Sequence, residues 1–281
     1  MSALFGDWPV ERPFTYLALG GGVQSSALFL MGAMGLRGVP RPDIAIFADT
    51  QDEPAWVYTH LERLRAIGQA HGLPLVVTTK GRLSGHVLGK LQGTRQSAPS
   101  LPVWTATKTG LPTPLRRHCT RDYKVHPLEK EVRRQLGYRP RQRMRHHAVC
   151  QLGISTDEAS RMKDSRTHWV TLTYPLIDAG MSREDCLMLH DEVGVPRPRK
   201  SSCVYCPYHS PAFWRDLKTH EPAEWERAVA FDEQIRDMSA AGAEQPVFLS
   251  KRLKPLREHT DADFGDDTNG FINECEGHCG I

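Results

Sequence analysis

No stretch of the chain is apolar for long enough to span a bilayer. The longest candidate, Ala27 to Leu36, falls far short of the ~20 residues a crossing helix needs. The opening "MSALFGDWPVERP" lacks the basic-then-apolar order of a secretory leader. These absences predict a cytoplasmic protein with no membrane partner. Neither a repeat nor a low-complexity segment is present. Charge of one sign is not in excess either: the formal net charge is +3, so bulk charge names no polyanionic partner. Cysteine is sparse, at seven residues. In a reducing compartment these read as metal ligands, redox groups or buried thiols before disulfides.

What remains is an ordinary globular mix, 40% hydrophobic and 25% charged. At 281 residues the chain can bury a core without staples, as one large domain or a domain plus an appendage. Its basic residues are uneven. Arg133, Arg134, Arg139, Arg141, Arg143 and Arg145 precede His146 and His147. That stretch is either a solvated basic face or a patch for phosphates or nucleic acid.

Hydrophobic patterning gives the order of elements. Tyr16 to Leu19 reads as a strand, Val23 to Met34 as a helix, and Ile44 to Ala48 as a buried strand. A helix follows Pro54, with Val57, Leu61, Leu64 and Ile67 on one face, and Leu75 to Thr79 is a third strand. Residues 92–118 read as a long loop. Pro127 opens a helix carrying Leu128, Val132 and Leu136; Ala148 to Leu152 and Val170 to Leu176 are further strands. Ser155 with Glu158, and Ser182 with Asp185, fit capping boxes. Pro211 and Pro222 each open a helix. Alternating strands and helices predict an α/β fold: a doubly wound, mainly parallel sheet with helices on both faces. The character changes after Gly194. This predicts a nucleotide-binding α/β domain over 1–194 and a cysteine-bearing loop, helices and tail over 195–281.

The stretch "LALGGGVQSSALFL" is a strand, three glycines and a helix start. Glycines let backbone N–H groups approach an anion, and the helix N-terminus adds positive potential. A plain tight strand–helix turn is the other reading. The dinucleotide fingerprint fails, because its last position is Ser25 and the acidic residue expected about twenty residues on is missing. The GxxxxGK[ST] motif fails for want of a lysine.

The turn Gly20-Gly21-Gly22-Val23-Gln24-Ser25, with Ser26 following, resembles the S-G-G-x-D-S pyrophosphate loop of the PP-loop ATP pyrophosphatases and phosphoadenosine phosphosulfate (PAPS) reductases. Gly20 replaces a serine, and Gln24 replaces the aspartate and brings no negative charge. "FADTQDEP", with Asp49, is similar to that superfamily's D-T-G-x-x-x-P segment, with Gln51 in place of glycine. "CTRDYKVHPL", with Arg121 and Lys124, resembles its C-T-x-x-x-K-x-x-P-L segment. "GISTDEASR" resembles its phosphate-binding segment, with Arg161 in place. The tail "NECEGHCGI" is similar to the reductases' catalytic E-C-G tail. The resemblance implies an adenine nucleotide, ATP with Mg2+ or PAPS, held over the carboxyl ends of the strands.

Cys203-x-x-Cys206 needs partners, and Cys119, in a Pro-flanked loop, is the best placed. Three thiolates could hold a 4Fe–4S cluster with one iron open; adding His209 makes a tetrahedral Zn2+ set; bare thiols are the third reading. Cluster-bearing reductases have a Cys-Cys pair where this chain has His118-Cys119, so the three-cysteine arrangement is the one that resembles ATP-dependent tRNA thiolation enzymes. Cys150 and Cys186 read as buried structural thiols. Cys275 and Cys279 lie either in an idle tail or on an arm that reaches the site. Glu274 and Glu276 disfavour the Cys275 thiolate, which makes Cys279 the better nucleophile.

The expected reaction is ATP-dependent sulfur transfer to a nucleobase-like carbonyl, with Lys124, Arg121 and Arg161 offsetting phosphate charge and a sulfur donor as partner. The alternatives are a thiol-dependent PAPS or APS reductase served by a thioredoxin-like reductant, and a non-enzymatic nucleotide- and metal-binding module.

Overall fold

The structure, a computed structural model, describes residues 12–97 and 100–264. Strands β1 (Phe14–Leu19), β2 (Ile44–Asp49) and β3 (Leu75–Thr79) are separated by helices α1 (Val23–Met34) and α2 (Ala55–His71). Helix α3 (Leu83–Leu91) follows, then the short strands β4 (Trp104–Ala106) and β5 (Pro112–Pro114). A π-helical turn, Arg121–Val125, runs directly into α4 (His126–Gln135). Strands β6 (Ala148–Gln151) and β7 (Val170–Thr173), a short α5 (Pro175–Asp178) and α6 (Arg183–Glu192) complete the first half. The rest is α7 (Pro211–His220), α8 (Pro222–Gln234), β8 (Val247–Phe248) and α9 (Asp261–Phe264).

Five strands form one sheet in the order β3-β2-β1-β6-β7, and every pairing in it is parallel. The first two strands are continuous apolar runs because both of their faces are covered. Leu17, Leu19, Ala45 and Phe47 face α1, α2 and α6. Tyr16, Ala18, Ile44 and Ile46 face Leu128 and Val132 of α4. The fold is thus α/β and doubly wound, with the strand order reversing between β1 and β6. Ligands of such sheets sit at that reversal, outside the carboxyl ends. A third core joins α3, Leu101, Val103 and Tyr123 to α7 and α8. The antiparallel sheet β5-β4-β8 lies beside it.

Three local expectations change. The loop expected over 92–118 contains β4 and β5. The strand expected to reach Leu176 ends at Thr173, because Pro175 has no N–H to donate and instead opens α5. Ser155 takes the N-cap conformation of a 3-10 turn, Thr156–Arg161, but forms no capping hydrogen bond. Glu158 is drawn to Gln24 and Arg161 instead. The box at Ser182 and Asp185 does form.

Candidate functional site

The glycine turn leaves β1 at the carboxyl edge of the sheet. Gly21 has φ 77°, a conformation that favours glycine, and Gly22 is the N-cap of α1. No side chain caps this helix and its first turn holds no acid, so its N–H groups and positive dipole end are directed at the turn. Ser25 braces the turn from within: its Oγ accepts from Gly20 N at 3.2 Å and donates to Gly22 O at 3.4 Å. Ser26 Oγ lies 2.9 Å from Nε2 of the buried His60. Burial holds His60 neutral, with its pKa lowered to about 4, and His190 beside it is lowered for the same reason. Gly153 packs so closely that a Cβ there would lie 2.6 Å from Ser25 N. Ser201 crosses the other side and donates from Oγ to Gly20 O at 2.5 Å.

Gln24 ties this turn to two distant segments. Its Nε2 donates to Glu158 Oε2 at 3.0 Å and to Ser155 Oγ at 3.4 Å; its Oε1 accepts from Arg183 Nη1 at 2.8 Å. Arg161 pairs with Glu158 at 2.5 Å, so it reaches the turn through that carboxylate.

Asp49 ends β2 and accepts from Gln51 N at 2.7 Å and Tyr58 OH at 3.0 Å. Gln51, where the resembled motif has glycine, sits at φ 61°. Asp52 is fully buried, accepts from Ser84 N, Ser84 Oγ and Arg82 Nε, and has its pKa raised by that burial. Buried Glu53 lies 3.7 Å from Lys124 Nζ and 3.9 Å from Cys203 Sγ.

Lys124 is itself buried, and it stands on the π-helical turn, a distortion common at functional sites. It lines two cavities. One is a small crevice at the strand ends, with Leu19, Gly20 and Ala48. The other is lined by Thr50, Cys119, Cys203 and Cys206. Arg121, on the same turn, is exposed, bonds His126 Nε2 at 3.4 Å and lines neither cavity.

Cys119, Cys203 and Cys206, expected together, therefore line one cavity. Cys203 hydrogen-bonds Thr50 Oγ1 at 3.1 Å, and burial pushes its thiol well up. His209 does not join them. Its Nε2 bonds Cys203 O at 2.9 Å and its ring stacks on Phe213 at 3.6 Å. Among the described residues no three His, Cys, Asp or Glu side chains are gathered tightly enough for a single metal ion. Three thiols with His209 turned away from them are the donor type of an iron–sulfur cluster. Cys150 and Cys186 are buried in the two sheet-face cores, and burial pushes the Cys150 thiol up to about 12. Cys275 and Cys279 lie outside the described residues.

The basic stretch runs from α4 to the start of β6, at the amino end of the strands and opposite the glycine turn. Arg134 pairs there with Glu131, and Arg133 donates to Arg139 O. Sequence reasoning named neither Glu53, Asp52, Ser201 nor Arg183. The acidic pair before Pro54 and the serines before Cys203 were the available signals.

In a parallel α/β sheet, a glycine turn leading into an uncapped helix at the switch point is an arrangement suited to an anionic ligand. Among solved structures the chain is similar to a phosphoadenylyl-sulfate reductase from Candida auris, in a phosphate complex, at 13% identity and a TM-score of 0.38, covering 67% of this chain and 77% of that one. It is also similar to the U34-tRNA thiolase NcsA from Methanococcus maripaludis, with its [4Fe-4S] cluster, at 12% identity and a TM-score of 0.38, covering 86% and 76%. No family model and no curated protein matches the chain. No helix among the described residues is long and apolar enough to cross a membrane.

Proposed function

We propose that this chain is an adenylating sulfur transferase of the PP-loop kind, acting on a nucleobase-like carbonyl. The observation that carries the reading is Lys124, which lines both the crevice at Gly20 and the cavity of the three cysteines. Phosphate chemistry and sulfur chemistry therefore adjoin at one ammonium group.

The N-terminus of α1 and the turn Gly20 to Ser25 bind the pyrophosphate part of ATP, which arrives with Mg2+. The acceptor's carbonyl oxygen attacks the α-phosphorus, the bond to pyrophosphate breaks, and pyrophosphate leaves. A sulfide-level nucleophile then attacks the activated carbon. The C–O bond breaks, AMP departs, and a thiocarbonyl remains. Lys124 offsets the charge that moves onto the phosphates, and Arg161 does so through Glu158. Cys119, Cys203 and Cys206 would hold an iron–sulfur cluster, which supplies an iron position for the incoming sulfur. Cys279, with Cys275 behind it, is the proposed tail nucleophile.

Anaerobic purification with iron and sulfide analysis tests the reading. Brown protein that loses its colour in Cys203→Ser is expected, with ATP binding by calorimetry abolished in Gly22→Val. Colourless protein with stoichiometric zinc, or equal ATP affinity in Gly22→Val, would overturn it. Removing residues 274–281 is expected to slow turnover, and full activity in that truncation would dismiss the tail thiols.

A further inference from the structure

A large cavity lies on the other side of the segment that crosses the glycine turn. It encloses about 910 Å3, within the ~300–1,000 Å3 range of small-ligand sites. Ser201 is pinned to Gly20 O. Its neighbour Lys200 lines this cavity, while Ser202 and Cys203 line the cysteine cavity. The two are therefore separate spaces with one backbone segment between them.

The lining combines flat rings with charged groups, in which Arg183, Arg197, Arg199 and Lys200 outnumber Asp157, Glu184 and Asp216. Trp56 and Phe213 form its aromatic wall, 6.4 Å apart and edge-on. The Arg199 guanidinium lies 3.9 Å from the Trp56 ring centroid and is held there by Asp216 and Glu221. Trp56 is itself fixed, because its Nε1 donates to Lys200 O at 3.0 Å. Arg183 and Arg197 add charge at the rim. A preset indole–guanidinium stack suits the π-face of a base, and the flanking cations suit a phosphate.

We propose that this cavity, which borders the glycine turn at Val23, is a second nucleotide-binding site beside it. It takes one nucleotide unit, either free or as part of a single strand, with its base against the Trp56–Arg199 stack and its phosphate toward Arg197 and Lys200. As the seat of the sulfur acceptor it rests on the function proposed above; as a binding site it does not. Arg183 links the two sites, since it lines this cavity and donates to Gln24 of the turn.

Fluorescence anisotropy with a labelled single-stranded RNA of mixed sequence tests the site, alongside competition by unlabelled nucleoside monophosphates. Trp56→Leu and Arg199→Gln are each expected to weaken RNA binding by about tenfold or more. Arg197→Gln, a change at an exposed side chain that also pairs with Asp191, is expected to do the same, with thermal unfolding close to wild type showing that the fold is kept. ATP affinity by calorimetry should stay within about twofold, the mark of a second site. Competition by monophosphates at equal affinity identifies a free nucleotide; competition by unlabelled strand alone identifies a polynucleotide. Unchanged RNA binding in all three variants, or parallel loss of ATP and RNA binding, overturns the proposal. So does wild-type protein that binds neither probe at millimolar concentration. Sulfur-transfer activity is not read in this experiment, so failure of the reaction and failure of the site remain separate results.

Discussion

Replacing Gln24 with glutamate changes charge and almost nothing of shape, at a side chain that is 1% exposed. The amide donates to Glu158 at 3.0 Å and accepts from Arg183 at 2.8 Å. In Gln24→Glu the donor becomes a carboxylate oxygen facing another carboxylate. At 3 Å and an effective dielectric near 20, that repulsion is about 5 kcal/mol. Stronger attraction to Arg183 offsets most of it. What is left is the lost hydrogen bond to a charged acceptor, about 1.5–3 kcal/mol, plus part of the desolvation of a second buried carboxylate. The net expected loss of stability at pH 7 is about 2–4 kcal/mol. Two carboxylates so close share a proton, which raises the pKa of one of them in the folded state. A raised carboxyl binds protons more tightly folded than unfolded. Stability is therefore regained as pH falls, and the gap from wild type narrows between pH 7 and about pH 5. Urea unfolding of both proteins at the two pH values measures this. A loss below about 0.5 kcal/mol, or one equal at both pH values, would refute the reasoning.

Lys124→Met takes the ammonium away from the buried Glu53 carboxylate, which keeps the Thr50 hydroxyl; a loss of about 3–5 kcal/mol is expected by thermal unfolding, with weakened ATP binding by calorimetry. Wild-type values for both would remove Lys124 from the site. Acid should weaken the wild type as its histidines titrate. His60 is depressed to about 4 and stays neutral when folded, whereas the unfolded chain protonates near 6.5. The stability this group contributes above pH 6.5 is thus lost as pH falls toward 4, by about 3 kcal/mol in full. Urea midpoints at pH 7 and pH 5 should differ less in His60→Gln than in wild type; an equal difference would clear His60. Gly153→Ala places a Cβ 2.6 Å from Ser25 N. Backbone must move, at a cost of about 1–3 kcal/mol, and ATP affinity should fall with it; an unchanged calorimetric titration would count against the placement of the turn.

The parallel sheet was legible because its signals are local. Ile44 to Phe47 is a solid apolar run since both its faces are covered, and Val57, Leu61 and Leu64 keep helical spacing because α2 buries one side. Helix α3 went unread. Gly85 and Gly89 dilute "LSGHVLGKL", and its stability comes from packing of Leu83 and Val87 against the third core. Strands β4 and β5 are three residues each, and β5 is bounded by prolines, so neither offers a period to detect. The family resemblance marked Lys124, and the C-x-x-C spacing marked Cys203 and Cys206, but neither showed their company. Glu53 meets Cys203 across 150 residues, and Gln24 meets Arg183 across 159. No pattern within a window reports a contact at that separation; only the winding of the sheet creates it.

That winding also gives a reason for a neutral residue at position 24. On the proposed function the turn attracts an anion, and the charges gathered behind it are nearly balanced. Arg183 and Arg161 bring two positive groups, while Glu158 and Asp157 bring two negative ones. An amide joins this set without disturbing the balance, because it donates to the acid and accepts from the base. A carboxylate at 24 would tip the set negative behind the first turn of α1, whose positive end is the turn's main source of attraction for phosphate. A charged residue at this position needs a bound cation to answer it. Glutamine removes that need, and on the proposed function the uncapped N–H groups of α1, together with Lys124 at the facing crevice, would meet the phosphates.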